Sequence, residues 1–171
     1  MNDRPALRIL HLPGAELSPA HGLTDLLTAY HLRTEEEKGL GVTRPEDLPE
    51  RYLSEIRSPA TAFAGDLVLL SLAGDTAVGC AILTAPDGDG RSEIKRLWVG
   101  PAFRGGGVAS GLLREALAAA GRNGARTVRL SVWNWRAGAI ALYVRLGFTA
   151  VESWEDRREL VCMEHRLGSG S

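Results

Sequence analysis

Residues 93–117 read EIKRLWVGPAFRGGGVASGLLREAL, and the rest of the chain is organised around this stretch. It predicts a strand that ends near Val99, a proline turn, three glycines at 105–107 and a strongly patterned helix. Glycine lacks a Cβ atom, so these glycines permit a positive φ or a close approach of the backbone to a ligand. The first N–H groups of the helix would form an anion site, with the permanently charged Arg104 beside it. The stretch therefore indicates a phosphate-binding turn, although a glycine-rich connection without a ligand stays open.

The length and composition are those of an ordinary globular domain. The chain has 171 residues, of which 44% are hydrophobic and 24% are charged. We expect one domain over residues 1–167 and a flexible tail over 168–171, where the sequence reads GSGS. The formal net charge of −1 argues against a broad surface for nucleic acid or anionic membrane. A small anion is still compatible with this charge, because backbone amides can bind it.

The cysteines and the apolar runs favour a cytoplasmic protein. Cys80 and Cys162 both lie in strand-like apolar runs, which is typical of buried, reduced thiols. Their spacing does not resemble a zinc site, so we expect no metal. No apolar run approaches the roughly 20 residues that cross a bilayer, so we expect no membrane segment.

The periodicity of apolar residues predicts a mixed α/β sheet. Strands are predicted over 6–12, 66–73, 76–85, 92–99, 127–133, 148–154 and 160–167, and helices over 18–37, 47–58, 108–120 and 137–146. Ser18 is the expected N-cap of the first helix, and Asp47 with Glu50 resembles a capping box for the second. The strand, helix and strand that surround the glycines form a βαβ unit, so those two strands should be parallel. The earlier strands follow tight turns and should be antiparallel.

Several polar side chains should meet at the carboxyl ends of the parallel strands, where open α/β sheets bind ligands. The glycine turn follows the first of these strands, and Asn134 follows the second. Tyr143 lies in the helix that starts at the same end. Alternation along the first strand predicts that Glu93 and Lys95 share one face with Leu97.

Two segments carry a family resemblance. EIKRLWVGPAFRGGGVA at 93–109 and AIALYVRLGF at 139–148 resemble the GNAT superfamily of N-acetyltransferases. The cofactor motif of that superfamily, Arg/Gln-x-x-Gly-x-Gly/Ala, is matched by Arg104, Gly107 and Ala109. The resemblance extends over about residues 64–167 in the order of elements. It implies a single-domain acyl-CoA N-acyltransferase fold, in which a mostly antiparallel sheet contains a splayed parallel strand pair and is flanked by helices.

The resemblance also implies acetyl-CoA as co-substrate. Its pyrophosphate would bind the amides of the turn, which comprises Arg104, Gly105, Gly106, Gly107, Val108 and Ala109. Its pantetheine arm would pair with the backbone of Leu97, Trp98 and Val99. A backbone N–H near Val99 would polarise the thioester carbonyl. Asn134 resembles the position that hydrogen-bonds the coenzyme, although asparagine is also a common turn residue.

The implied reaction is direct attack of an amine on the thioester, which needs proton transfer at both ends. Tyr143 matches the tyrosine that acts as general acid toward the coenzyme thiolate and contacts the coenzyme; the alternative is a tyrosine that only packs on the sheet. Glu93 is the candidate base, acting directly or through a water. The alternative for Glu93 is a strand residue paired with Lys95 or Arg96.

The sequence leaves the identity of the acceptor amine open. Small-molecule amines and peptide amines both fit, and helices 18–37 and 47–58 with the final hairpin would line the acceptor side. Trp133 and Trp135 could wall this pocket, although Trp135 is expected to be a surface or helix-packing residue. The four histidines belong to no motif and are expected to be structural or exposed: His11, His21, His31 and His165. A homodimer is left open.

Two other functions compete with this interpretation. A nicotinamide-binding Rossmann domain is disfavoured, because its glycine motif follows the first strand and is paired with an acidic residue about 20 positions later. Here the motif lies in the middle of the chain, and the next strand closes with Trp133 and Asn134. A non-catalytic sensor or interaction domain that binds acyl-CoA through the same fold is not excluded by sequence.

Overall fold

Seven strands form one mixed sheet in the computed structural model, which describes residues 6–168. The order across the sheet is β1-β2-β3-β4-β5-β7-β6, and only the β4–β5 pair is parallel. The strands are β1 (Leu7–Pro13), β2 (Leu67–Ala73), β3 (Thr76–Leu83), β4 (Arg91–Val99), β5 (Thr127–Trp133), β6 (Thr149–Val151) and β7 (Leu160–Arg166). The predicted fold class is therefore confirmed. Apart from Gly168, the predicted tail lies outside the described residues.

Within residues 6–168, five helices cover the two faces of the sheet. They are α1 (Leu23–Glu37), α2 (Glu50–Arg57), α3 (Pro59–Ala62), α4 (Val108–Arg122) and α5 (Ala137–Arg145). One apolar core lies between the sheet and α4 and α5, and it contains Leu112, Leu113 and Leu130. The other lies on the opposite face beneath α1 and α2, and it contains Leu27 and Leu70. No helix within residues 6–168 is both long and apolar enough to cross a membrane.

Two predicted helix starts are wrong. Ser18 precedes a 3-10 turn over Pro19–His21, and Gly22 with φ of 79° separates this turn from α1. Asp47 ends a second 3-10 turn, and its carboxylate accepts a hydrogen bond of 3.0 Å from Arg44 Nε instead of capping α2. Leu48 is extended because a residue before proline is disfavoured in the helical region. As a result α2 begins only at Glu50.

A bulge interrupts β4 and changes which residues share a face. Arg96 has φ of 55° and is the only residue other than glycine between 6 and 168 with a positive φ. The register against β3 shifts at this point, because Ile82 faces Lys95 whereas Cys80 faces Trp98. One extra residue in a strand reverses the inward and outward alternation that follows it.

The prediction that Leu97 shares a face with Glu93 and Lys95 is consequently wrong. Leu97 packs with Ile94 in the core beneath α4 and α5, whereas Trp98 lies in the core beneath α1 and α2. Regular alternation would have placed Ile94 and Trp98 on one face. The bulge therefore turns the last three residues of β4 relative to the first part of the strand.

The parallel pair opens along its length. Residues Arg91, Ser92 and Glu93 of β4 pair with Thr127, Val128 and Arg129 of β5, and no pairing between these strands continues beyond them within the described chain. The later parts of β4 and β5 therefore leave a slot between them, here called the β4–β5 slot. It opens toward the glycine turn at the start of α4.

Candidate active site

A cavity of about 880 Å³ extends along the β4–β5 slot. Its lining joins the glycine turn to residues of α1, α2, β5 and α5. Most of the predicted site residues lie in this one cavity, namely Glu93, Leu97, Trp98, Val99, Arg104, Gly105, Gly107, Val108, Ala109 and Tyr143. Gly106 and Asn134 do not line it.

The glycine turn has the geometry of an anion site. Gly105 and Gly107 have φ of 81° and 82°, a region that side chains rarely adopt. Gly107 precedes α4, and the first helical bond to it runs from the Gly111 N–H over 3.0 Å. The N–H groups of Val108, Ala109 and Ser110 therefore have no partner within the helix and face the end of the cavity. A phosphate oxygen fits this set of donors.

The backbone of Val99 faces the slot. The Gly100 N–H donates to the Val78 carbonyl over 2.8 Å, which ties that residue to β3. Because antiparallel pairs alternate between bonded and non-bonded positions, the N–H and C=O of Val99 point away from β3. The Val99 carbonyl accepts a hydrogen bond of 3.1 Å from Arg104 Nε, and the Arg104 guanidinium lies 4.7 Å from the Trp98 ring. Arg104 thus lies against the end of β4.

Tyr143 lies at the side of the slot with a protonated phenol. Its side chain is only 7% exposed and meets Phe148 edge to face at 5.9 Å between ring centroids. Burial raises the pKa of Tyr143 well above its ordinary value, and the nearby Tyr30 raises it further. The phenol therefore holds its proton at neutral pH and can donate it.

Glu93 lies where the slot begins. It is the last β4 residue that pairs with β5, and its N–H donates to Thr84 Oγ1 over 2.8 Å. The alternative of a pair with Arg96 is wrong, because Arg96 binds Glu55 instead. Within residues 6–168 the Glu93 carboxylate makes no ion pair, so it is available to the cavity that it lines.

The turn after β5 contains Asn134 and Trp135. Asn134 is exposed, and its N–H donates to the Glu159 carbonyl over 2.8 Å. Its contact with the coenzyme stays a prediction. Trp135 is 39% exposed, as expected of a surface residue, and its ring stacks on Trp133 with centroids 4.8 Å apart.

A buried ionic group, missed from the sequence, stands beside the bulge. This Glu55 cluster comprises His31, Glu55 and Arg96. Arg96 Nε and Nη2 donate to the two Glu55 oxygens over 2.8 and 3.0 Å, and His31 Nε2 bonds Glu55 Oε1. His31 is 2% and Glu55 6% exposed. Glu55 lies 24 residues from His31 and 41 from Arg96 along the chain, so no local motif signals the cluster.

The charges of the Glu55 cluster follow from these contacts. Burial disfavours the Glu55 carboxylate, but the hydrogen bonds from His31 and Arg96 outweigh burial and lower its pKa to about 2. Burial also lowers the pKa of His31 below its ordinary value, although Glu55 opposes this shift. At neutral pH the cluster therefore contains an anionic Glu55, a cationic Arg96 and a neutral His31.

A second group, the Glu37 cluster, joins α1 to the turn after β5. It comprises Thr34, Glu37, Trp135 and Arg136. Arg136 Nη2 donates to Glu37 Oε2 and to Thr34 Oγ1, each over 2.8 Å, and Trp135 Nε1 donates to the same Glu37 oxygen over 3.1 Å. Thr34, Glu37 and Arg136 line the same cavity as the glycine turn. This cluster bounds the cavity where it approaches α1.

Comparison with known proteins agrees with this geometry. The sequence model of a family described as "Acetyltransferase (GNAT) family" matches residues 26–148. The chain belongs to the GNAT acetyltransferase family. The matched region contains both the glycine turn and Tyr143, which lie at the cavity.

Individual relatives are more distant. Over 61 residues, this GNAT chain is 41% identical to an uncharacterized N-acetyltransferase of Methanocaldococcus jannaschii, a match that spans 36% of this chain and 27% of that protein. It is similar in structure to an acetyltransferase of Streptococcus agalactiae, with a TM-score of 0.71, 16% identity and coverage of 94% and 98% of the two chains. A PaiA N-acetyltransferase of Thermoplasma acidophilum in complex with coenzyme A gives a TM-score of 0.70 at 20% identity, covering 95% and 99%. These two structures show the shared fold.

Proposed function

We propose that the protein transfers the acetyl group of acetyl-CoA to an amine by direct attack of the amine on the thioester. The observation that carries this proposal is the single cavity that joins the glycine turn, the Val99 backbone and Tyr143. A donor thioester and an acceptor amine need such a shared space, since the reacting atoms must come within about 3–3.5 Å of each other.

The donor half of the cavity would hold the coenzyme. Its pyrophosphate would accept hydrogen bonds from the N–H groups that begin α4, where the helix dipole favours negative charge. The pantetheine arm would lie in the β4–β5 slot beside Leu97 and Val99. The Val99 N–H, which faces the slot, would donate to the thioester oxygen as negative charge develops there.

Proton transfer would accompany the bond changes. As the C–N bond forms and the C–S bond breaks, Tyr143 would give its proton to the leaving sulfur. Its buried, protonated phenol supports this role. Glu93 is the carboxylate that the sequence predicts as base, and its position at the start of the slot without an ion pair is compatible with that prediction.

The acceptor would enter from the side of α1, α2 and the turn after β5. Tyr30, Tyr52 and Trp133 provide aromatic walls there, and Glu37 and Arg136 add charged groups to the lining. Small-molecule and peptide amines both remain candidates for this space. The two free cysteines, Cys80 and Cys162, are buried, which supports the proposal of a reducing compartment such as the cytoplasm.

Two measurements test the proposed function. Calorimetry should give a dissociation constant for acetyl-CoA in the micromolar range or tighter, and absence of binding at millimolar ligand would contradict the donor. A panel of amines should then be screened for release of free coenzyme A with a thiol reagent. Tight binding without release for any amine would favour a non-catalytic acyl-CoA sensor on the same fold.

A further inference from the structure

Within residues 6–168, His31 is the only buried titratable ring that lines the cavity and has no role in the sequence motifs. It lies on α1, whose neighbouring Tyr30 packs edge to face on Trp98 of β4 at 6.2 Å. Its ring stacks on Tyr52 of α2 with centroids 4.2 Å apart and an angle of 20°. The imidazole is therefore held in one orientation by two helices, above the part of β4 that borders the slot.

The tautomer of His31 follows from Glu55. An ionised carboxylate can only accept hydrogen bonds, so the bond between His31 Nε2 and Glu55 Oε1 places the proton of the neutral ring on Nε2. Arg96 holds the same carboxylate through two hydrogen bonds and keeps it ionised. The lone pair of Nδ1 is then available as a proton acceptor.

Nδ1 also keeps access to the cavity. It makes no hydrogen bond in the described part of the chain. The fully buried side-chain atoms without a partner in that part are Ser92 Oγ and His165 Nδ1, so His31 Nδ1 is not fully buried. A neutral imidazole with one nitrogen bonded to a carboxylate and the other open to substrate is the arrangement of a general base.

We propose that His31 Nδ1 accepts the proton of the attacking amine, with Glu55 as the positioning residue for its ring. This inference rests on the proposed function. The amine nitrogen forms the C–N bond with its electron pair and passes its proton to Nδ1. The C–S bond breaks, and its electron pair leaves on sulfur, which takes a proton from Tyr143. The imidazolium then loses its proton to solvent, and the Tyr143 phenolate regains one.

Glu55 is a poorer candidate for this role, because its carboxylate is already bound by His31 and Arg96 and its pKa is about 2. Glu93 is the direct competitor. It lies in the paired part of β4, before the slot opens, whereas the Glu55 cluster contains Arg96 of the bulge, in the part of β4 that no longer pairs with β5. His31 therefore stands on the side from which the acceptor would approach the thioester.

The pH dependence of kcat should follow the protonation of the His31 ring. The groups that face its ring come from α1, α2 and β4, and they are Tyr30, Glu35, Tyr52, Glu55 and Arg96. Burial and Arg96 lower the pKa of the ring, and the two glutamates oppose them. The wild-type kcat should accordingly fall on the acid side, where Nδ1 becomes protonated.

The central experiment compares three variants with saturating acetyl-CoA and the best amine of the panel. His31→Gln should lower kcat by about 100-fold and remove the acid limb of the pH profile, with unchanged coenzyme affinity. Glu93→Gln should keep that limb. His11→Gln, which replaces an exposed histidine paired with Glu115, should match the wild type. If His31→Gln retains both kcat and the limb, or if Glu93→Gln alone removes the limb, the inference is overturned.

A second measurement does not depend on catalysis or on the folding of a variant. Long-range ¹H–¹⁵N spectra of the wild-type His31 ring at pH 7 should show a protonated Nε2 and a bare Nδ1. A proton on Nδ1 at pH 7 would overturn the inference while leaving the proposed function intact. Failure of the wild type to bind acetyl-CoA or to release coenzyme A would instead reject the proposed function.

Discussion

The proposed donor half of the cavity, at the glycine turn, and the proposed acceptor half, beside α1 and α2, are built in different ways. The donor half uses the backbone of one continuous stretch, in which positive φ at Gly105 and Gly107 presents the first N–H groups of α4. The acceptor half uses side chains from distant elements, which meet in the Glu55 and Glu37 clusters. A local backbone motif can therefore be recognised in a sequence, whereas a cluster of distant side chains cannot.

The two halves also respond differently to substitution. Backbone donors in an exposed turn can bond to water when no ligand is present, so they cost little in stability. A buried ionic cluster is different, because removal of one member leaves its partners desolvated and unpaired. Changes in the acceptor half should thus affect folding, and changes in the donor half should mainly affect binding.

The largest effect is expected at Glu55. Glu55→Ala should lower the free energy of unfolding by about 3–4 kcal/mol, because Arg96 and His31 lose their buried partner. Urea denaturation measures this change. Glu50→Ala on the same helix is the control, since Glu50 is 79% exposed and its ion pair with Arg57 spans 3.9 Å. Equal losses in both variants would contradict the distinction between buried and exposed pairs.

Acid should weaken the same cluster. The pKa of Glu55 is lowered from 4.5 to about 2, so its contribution to stability is present above about pH 4.5 and is lost as the pH falls toward 2. The full contribution is roughly 3 kcal/mol by linkage. The lowered pKa of His31 acts in the same direction below pH 6.5. Denaturation at a series of pH values should show a shallower acid decline for Glu55→Gln than for the wild type.

Tyr143→Phe tests the chemistry where the two halves meet. Loss of the proton donor should lower kcat by about 100-fold, with little change in the affinity for acetyl-CoA. Steady-state kinetics and calorimetry separate the two quantities. Val144→Ala changes the neighbouring side chain, which is 56% exposed, and should leave kcat unaltered. An unchanged kcat in Tyr143→Phe would remove the tyrosine from the mechanism.

The smallest effect is expected in the donor half. Gly107→Ala places a Cβ atom on a residue with φ of 82°, which strains the backbone conformation of the turn by roughly 1–2 kcal/mol. The turn should relax, and the affinity for acetyl-CoA should fall about tenfold. Gly121→Ala in the last turn of α4 is the matched control, because Gly121 does not have a positive φ and its added Cβ meets nothing within 4 Å outside its own stretch of helix. The control should bind the coenzyme normally; similar losses in both variants would argue against the turn as the anion site.

The sequence predicted the elements that form the donor half with good accuracy. β5 was predicted with its observed bounds, and α4 begins at the predicted Val108. These predictions depend on local signals, namely alternation, helical periodicity and glycines. The errors at Ser18 and Asp47 are local too, because Ser18 precedes and Asp47 ends a 3-10 turn that lies before the helix.

The face of Leu97 could not be predicted for a different reason. The bulge at Arg96 has no glycine to mark it, since the positive φ is held by the bonds from Arg96 to Glu55 on another element. A bulge of this kind depends on the packing of α2 against β4. The contact of His31 with Glu55 was missed for the same reason, because the two residues are 24 positions apart in the chain.

The sequence by itself determined the family, the glycine turn and the position of Tyr143, because turn geometry and helix starts depend on neighbouring residues. Only the tertiary structure decided the opening of the β4–β5 slot, the reversal of faces after Arg96 and the assembly of the Glu55 cluster. These features arise where a desolvated charge must find its partner among the elements packed around it, and that partner is specified by the fold rather than by its neighbours in the chain.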